Sequence, residues 1–376
     1  MKAIKATLLY DGKRVRKNVY VHFDNSQITE ISQKKGKSEV IAEGVVTPAF
    51  IDAHCHIGMA RSGEPSQEDE TNEEMNSICA LVDALHSVYM DDRAFLESVE
   101  HGVLYSHIMP GSGNIIGGRT VLIRNWPKHV DEAYIKHIGI KAALGYNPRS
   151  TTSWKGERPS TRMGALAILR NELIKAMKTK ALLKKKKKVR EEVEPMTEVF
   201  MEILDGKVPL MAHVHKEDDT LILLNLMKEF GFKAVVNHGG DFHTPEIWEK
   251  IKKAKIPVIY GPVDSFSYKV ELKHEYWRNI KYAVESKVDM ALMSDHPVVL
   301  QRNLFLQLRY FIRFGMSKEE ALSLITSRAA KIIGAEKIGE IKKGYFASLV
   351  VWNGDPFSLE SYPTMVIGEG KVVYEE

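Results

Sequence analysis

Short apolar stretches alternate with amphipathic stretches through the middle of the chain. The apolar stretches have the length of buried strands, and the amphipathic stretches repeat hydrophobic residues at the helical period. Such alternation favours parallel βα units, and we predict an α/β fold of the (β/α)8 TIM-type barrel class. The predicted strands cover residues 45–53, 103–108, 120–123, 138–144, 208–213, 234–237, 257–260 and 290–293. Helices are predicted over residues 73–89, 92–101, 162–177, 219–230, 246–253, 318–325 and 327–333.

Both ends of the chain show another pattern, in which short strand-like segments are broken by turn residues. Residues 3–10 and 19–23 have this pattern near the start, and residues 348–352 and 365–374 repeat it near the end. Strands at the two termini form no stable isolated sheets unless they pair. We therefore predict a small β-sandwich built from residues 1–46 and 338–376, with the barrel over residues 47–337.

Composition and charge set wide limits on partners and location. The 376 residues are 44% hydrophobic and 27% charged, which suits one large domain with a small accessory module. A net charge of +4 does not argue for nucleic acid, and the lysine run at 184–188, followed by glutamates, is typical of a solvated helix and loop. No run approaches the roughly 20 apolar residues of a membrane span. We expect a cytoplasmic protein without nucleic-acid or membrane partners, whose two cysteines are free thiols.

The first predicted barrel strand delivers His54 and His56 to its own C-terminal end. Residues two apart on a strand point to the same face, so both imidazoles can bind one divalent ion while Cys55 points away. A His-x-His pair also arises by chance in a chain with fourteen histidines. The pair alone therefore leaves metal binding open.

Further histidines and a carboxylate fall where a barrel enzyme needs them. Active sites of such barrels lie at the C-terminal ends of the strands. His213 and His215 end the fifth predicted strand, His238 ends the sixth, and Asp295 follows the eighth. Neutral imidazoles bind a cation such as Zn²⁺, and a carboxylate beside an activated water can accept its proton. The pattern predicts a metal site with Asp295 as the general base.

Lys141 is a charged residue within an apolar predicted strand, residues 138–144. Burying a charged side chain is costly unless the charge is paired or modified. Lys141 either points outward and reaches solvent between helices, or it belongs to the site.

These residues resemble the motifs of the amidohydrolase superfamily over nearly the whole chain. The resemblance rests on the entry motif at 48–56, with Ala49 where the family usually has Gly, the later histidines, Ser294 with Asp295, and the exit segment at 338–349. It implies a distorted (β/α)8 barrel with a β-sandwich made from both termini. It implies His54, His56, His213, His238 and Asp295 as metal ligands. It also places Lys141 where two-metal members carry a carboxylated, bridging lysine.

Segments at 110–118, 145–148 and 161–164 are similar to the branch that includes imidazolonepropionase and prolidase-like dipeptidases. The leading hypothesis is a metal-dependent hydrolase that cleaves a carbon–nitrogen bond of a cyclic amide, an N-acyl amino acid or a dipeptide. One or two divalent metals, with zinc favoured, are expected. The candidates for holding this small-molecule substrate are His215, His107, Arg119, Arg149 and Arg162.

Two other interpretations stay open at this point. A mononuclear deaminase acting on a ring amine would bind one metal and would not need Lys141. A non-catalytic scaffold would have lost ligands, and none is missing from the sequence. A homo-oligomer is compatible with either hypothesis.

Overall fold

The computed structural model describes residues 1–150, 156–263 and 265–376. Its strands are β1 (Lys2–Tyr10), β2 (Val15–Asp24), β3 (Gln27–Ser32), β4 (Glu39–Pro48), β5 (Phe50–Cys55), β6 (Val103–Ile108), β7 (Ile116–Arg124), β8 (Tyr134–Ala143), β9 (Leu210–Val214), β10 (Ala234–His238), β11 (Val258–Tyr260), β12 (Met290–Leu292), β13 (Leu349–Trp352), β14 (Pro363–Gly368) and β15 (Lys371–Glu375). Its α-helices are α1 (Arg93–Glu100), α2 (Val130–Ala133), α3 (Asn147–Ser150), α4 (Arg162–Lys184), α5 (Pro195–Leu204), α6 (Glu217–Phe230), α7 (Pro245–Ala254), α8 (Ile280–Ser286), α9 (Leu308–Arg313), α10 (Lys318–Ser323) and α11 (Ser327–Ile332).

Strands from both ends of the chain form a separate seven-stranded sheet, in the order β15-β14-β13-β4-β1-β2-β3. Strand β4 joins the two ends, because it pairs in parallel with β1 and antiparallel with β13. Apolar side chains of this sheet, such as Ile4, Val21, Phe23 and Ile367, form a core of their own. The predicted pairing of the two termini is confirmed.

The second sheet has eight strands in the order β5 to β12 and forms the barrel. Every residue of β5, β6, β9, β10, β11 and β12 is buried. Barrel strands are covered on one face by the barrel interior and on the other by helices, which explains why they read as continuous apolar runs. Strands β8 to β12 pair in parallel, as predicted.

Strand β7 departs from the expected eight parallel strands. It runs antiparallel to both β6 and β8, so residues 103–143 form a meander inside the barrel wall. Only 7 residues separate β6 from β7, from residue 109 to residue 115, and this connection is too short for the crossover that parallel strands need. The barrel is therefore distorted at this side.

The first and last barrel strands are held together through Asp52. Its buried carboxylate accepts hydrogen bonds from the Ser294 backbone N–H at 3.0 Å, the Ser294 hydroxyl and the Gln301 amide at 2.9 Å. The backbone N–H of Asp295 also donates to the carbonyl of His54 at 3.1 Å. Burial raises the pKa of the Asp52 carboxyl to about 6, against the opposing effect of these hydrogen bonds. These contacts close the barrel at the end where the histidines lie.

The helix predicted over residues 73–89 is wrong. The segment is irregular, with bends and turns, isolated bridges from Ile78 and Asp83 to the β7 strand, and a short 3-10 turn at Ala84–Ser87. Polar side chains satisfy its backbone: Asn114 donates to the carbonyls of Glu73 and Asn76. Side chains of this kind compete with helical hydrogen bonds.

Other differences are smaller. The predicted strand over residues 45–53 is divided at Ala49, because β4 belongs to the terminal sheet and β5 to the barrel. Helix α4 runs beyond its predicted end at residue 177, and α2, α3, α5, α8 and α9 lie outside the predicted helices. None of the helices in the described residues has the length and apolar character needed to cross a membrane.

Candidate metal centre

His54 and His56 converge on Asp295 at the C-terminal end of β5. The Nε2 atoms of both histidines lie 3.3 Å from the same carboxylate oxygen, Oδ1 of Asp295. His54 Nδ1 lies 2.9 Å from the side-chain oxygen of Asn237, and His56 Nδ1 lies 2.7 Å from the carbonyl of Met109. These acceptors require a proton on Nδ1, which leaves the Nε2 lone pairs directed at the centre.

His213 and His238 bring two further imidazoles to the same place from β9 and β10. The His238 ring centroid lies 4.8 Å from that of His54 and 4.3 Å from that of His213. His238 has a positive φ of 82° and Asp295 one of 52°, and both residues stand where their strands turn into loops. Side chains rarely adopt this backbone conformation, and such residues concentrate at functional sites.

Two overlapping groups in the described residues have potential ligand atoms within 4.8 Å of one another. One is His54, His238 and Asp295, and the other is His213, His215 and His238. His215 has no hydrogen-bond partner on either ring nitrogen among the described residues, and His213 has none on Nδ1. Buried polar atoms without partners are costly. A donor set of imidazoles and a carboxylate with unsatisfied nitrogens fits a divalent metal.

Burial also keeps these imidazoles neutral. It lowers the pKa of His54, His213 and His238 well below the usual range, and it lowers the pKa of His215 to about 3. The neutral imidazole is the form that binds metal.

Lys141 points into the barrel rather than outward. The side chain is fully buried, and its Nζ lies 3.2 Å from Nε2 of His54. Burial lowers the pKa of this amine to about 7, well below its ordinary value. Lys141 therefore belongs to the wall of the centre together with the histidines.

A loop after β11 contributes two residues that sequence reasoning missed. Glu271 is 1% exposed, and its Oε1 lies 3.3 Å from Nε2 of His213 and 3.0 Å from Nζ of Lys269. The backbone N–H of Tyr146 donates to the other oxygen at 3.1 Å. With its amide oriented to satisfy its partners, Asn147 donates to Glu271 and accepts from Lys269, each at 3.1 Å. The sequence around 265–276 has no periodicity that could have placed these side chains.

The residues predicted to hold the substrate are not brought together as one set, although Arg149 and Arg162 line a common cavity. His215 faces a small cavity of about 20 Å³ that Lys269, Tyr268 and Asp295 also line. Both ring nitrogens of His107 are engaged, 2.9 Å from the carbonyl of Ala53 and 2.7 Å from the hydroxyl of Thr120.

The three candidate arginines have partners of their own. Arg119 pairs with Glu202 at 3.2 Å, and Arg162 pairs with the buried Asp219 at 2.6 Å. The Arg149 Nε donates to the carbonyl of Gly145 at 3.2 Å. Lys269 is thus the cation that lines the cavity beside the histidines.

Comparison with known proteins finds amidohydrolases among the similar sequences and structures. Amidohydrolase tasK of Hapsidospora irregularis is 24% identical, and the alignment covers 93% of this chain but 39% of that protein. Imidazolonepropionase of Picrophilus torridus is 23% identical over 93% of this chain and 89% of its own length. The chain therefore spans about two fifths of the first relative and nearly all of the second. The crystal structure of an amidohydrolase from Thermotoga maritima MSB8 superposes with a TM-score of 0.91 and 31% identity, with both chains fully covered.

The family model described as "Amidohydrolase family" matches residues 45–373, which is most of the chain. The match includes the barrel strands that carry the histidines, Lys141 and Asp295, and it continues into the terminal sheet. Members of this family typically bind a divalent metal. The chain belongs to the amidohydrolase family.

Proposed function

We propose that this protein is a zinc-dependent amide hydrolase whose substrate carries a carboxylate: a cyclic amide, an N-acyl amino acid or a dipeptide. The observation that carries the proposal is the convergence of two Nε2 atoms, from His54 and His56, on one oxygen of Asp295. His54, His56 and Asp295 would hold one ion, and His213, His238 and a modified Lys141 would hold a second. Imidazole and carboxylate ligands suit zinc.

Lys141 fits the second ion best as a carbamate. A buried ammonium next to an imidazole is costly, because no carboxylate within hydrogen-bond distance of its Nζ compensates it among the described residues. Loss of one proton from the ammonium, addition of the neutral amine to carbon dioxide and loss of a second proton from nitrogen turn the cation into a carbamate anion with two oxygen ligands. That charge is opposite to the charge of a divalent metal.

Asp295 is the residue positioned for proton transfer. A bound divalent metal polarises a substrate carbonyl and acidifies water. Asp295 accepts the proton of the attacking water and returns it to the leaving nitrogen, so that one water is added across the carbon–nitrogen bond. Its backbone N–H donates to the carbonyl of His54, which holds the carboxylate over the two imidazoles.

Lys269 and His215 are the proposed subsite for the substrate carboxylate. The Lys269 side chain is 11% exposed and lines the cavity that also contains His215 and Asp295. Glu271 holds the ammonium at 3.0 Å and so positions it. The ammonium has three donors, which allows it to bind Glu271, Asn147 and a substrate oxygen together. The name of the relative imidazolonepropionase supports a ring amide that carries a carboxylate.

The test is a panel of amides on zinc-loaded protein, each supplied with a free carboxylate and as its methyl ester. We expect hydrolysis of at least one class, with the free acid preferred. Lys269→Gln should raise the KM for the acid about 10-fold to 100-fold, since a hydrogen bond to a charged group contributes about 1.5–3 kcal/mol. Lys273→Gln, an exposed lysine on the same loop, is the matched control. Release of ammonia from ring amines without amide hydrolysis would instead support a deaminase.

A further inference from the structure

A second cluster of metal-ligating side chains lies outside the centre, on the loops at the barrel mouth. It consists of Asp241 and His243, which follow β10, and His274, which follows β11. One potential ligand atom from each of the three lies within 4.8 Å of the others. The two imidazole rings are nearly parallel, with centroids 4.2 Å apart and an angle of 31° between the planes.

Asp241 fixes how both rings are protonated. Nδ1 of His274 lies 3.2 Å from the carboxylate Oδ2 of Asp241, and Nδ1 of His243 lies 2.8 Å from the backbone carbonyl of Asp241. Both acceptors require a proton on Nδ1, so the neutral form of each ring carries its lone pair on Nε2. A carboxylate or a carbonyl behind the histidine is the arrangement found in metal sites, where it orients the ring and raises its basicity.

The remaining contacts keep the cluster rigid but accessible. The Asp241 side chain is 3% exposed, whereas His243 and His274 are 37% and 44% exposed. The backbone N–H of His274 donates to Asp241, and Glu217 accepts from the backbone N–H of His243 at 3.0 Å. A buried acid therefore supports two rings that solvent can reach.

We propose that His243 and His274 form a second transition-metal site, in which their Nε2 atoms bind the ion and Asp241 orients them. Imidazole suits zinc, nickel and copper. The two histidines come from different mouth loops, so the ion would link the β10 loop to the loop that carries Lys269 and Glu271. The backbone N–H of Asp241 donates to the carbonyl of His215 at 3.2 Å, which connects the site to the centre. The inference does not rest on the proposed amide hydrolysis.

The experiment is equilibrium dialysis of zinc-loaded protein against nickel, with zinc and nickel counted separately by elemental analysis. The wild type should bind one nickel per chain that His243→Ala and His274→Ala lose, while zinc at the centre is retained. Asp241→Asn should weaken nickel binding about 10-fold to 100-fold, the usual effect of removing an orienting partner. His101→Ala is the control, because its Nδ1 also bonds a backbone carbonyl, that of Glu97, on an exposed surface.

Equal nickel binding by wild type and His243→Ala would overturn the proposal, and so would an equal loss in His101→Ala. A second measurement uses only the wild type, in case a variant fails to fold. Copper added to zinc-loaded protein should give an electron paramagnetic resonance spectrum with hyperfine structure from two imidazole nitrogens. A spectrum with one nitrogen or none would contradict the paired site.

Discussion

Nζ of Lys141 lies 3.2 Å from Nε2 of His54, and both side chains are fully buried. A lysine donor at this distance uses the lone pair that His54 would offer to a metal. Nε2 of His54 cannot accept a hydrogen bond from Lys141 and bind a metal through the same lone pair. An unmodified Lys141 therefore competes with an ion at His54. Carboxylation replaces the competing ammonium with a carbamate anion, whose oxygens can serve as metal ligands.

Replacement of Lys141 by alanine should therefore reduce the metal content. We expect two metals per chain in the wild type and one or none in Lys141→Ala, measured by elemental analysis of protein purified without chelator. Lys136→Ala is the matched control, since Lys136 lies on the same strand and donates to the carbonyl of Gly334. One metal per chain in both wild type and Lys141→Ala would contradict the bridging role.

Asp295→Asn should lower kcat by about 10²-fold to 10⁴-fold, the typical contribution of a general base. The amide keeps the size of the side chain but cannot accept the proton of the water. The measurement is steady-state kinetics on the best substrate of the panel, with metal content determined on the same sample. Asp289→Asn is the control and should keep full activity. Asp289 is an exposed aspartate just before β12 that pairs with Lys331. Unchanged kcat in a fully loaded Asp295→Asn would exclude Asp295 as the base.

The position of the centre could be predicted because barrel chemistry collects at strand ends. His54, His213 and His238 each end an apolar run, and Asp295 follows one. The end of each run therefore indicates that the side chain lies at the C-terminal end of a barrel strand. A buried lysine in such a run, like Lys141, is visible in the sequence as a conflict between charge and burial. The pairing of the two termini followed from the need of isolated strands for partners.

The mouth of the barrel could not be predicted, because loop contacts join residues far apart in sequence. Glu271 contacts His213 and Asn147, and Lys269 contacts Asn147, although more than 50 residues separate the partners in the sequence. A local pattern of hydrophobic and polar residues cannot predict such contacts. The direction of β7 depends on the short connection between β6 and β7, and the apolar residues of the strand do not indicate it. The irregular path over 73–89 depends on Asn114, a residue outside that segment.

Asp52 should be required for stability, since it joins β5 to the residues that follow β12. Asp52→Ala leaves the Ser294 N–H, the Ser294 hydroxyl and the Gln301 amide without this buried acceptor. We expect the free energy of unfolding to fall by about 3 kcal/mol, because each buried unsatisfied donor costs about 1–3 kcal/mol and partial relaxation recovers some of it. Denaturant unfolding followed by tryptophan fluorescence measures this. The exposed Asp91→Ala should leave the midpoint unchanged, and an equal shift in both variants would contradict the role of Asp52.

Cys79 should be a poor nucleophile in the folded protein. Burial, helped by the nearby Glu73 carboxylate, raises the pKa of its thiol to about 11. The thiolate is the reactive form, so below this pKa the rate of alkylation should rise about tenfold for each pH unit. At pH 8 about one molecule in a thousand would be ionised, against roughly a quarter of an ordinary thiol with a pKa of about 8.5. Iodoacetamide labelling between pH 7.5 and 9.5, with peptide mass spectrometry to separate Cys79 from Cys55, measures the slope. Unfolding in denaturant should abolish the protection, and equal rates at pH 8 with and without denaturant would show that the raised pKa is wrong.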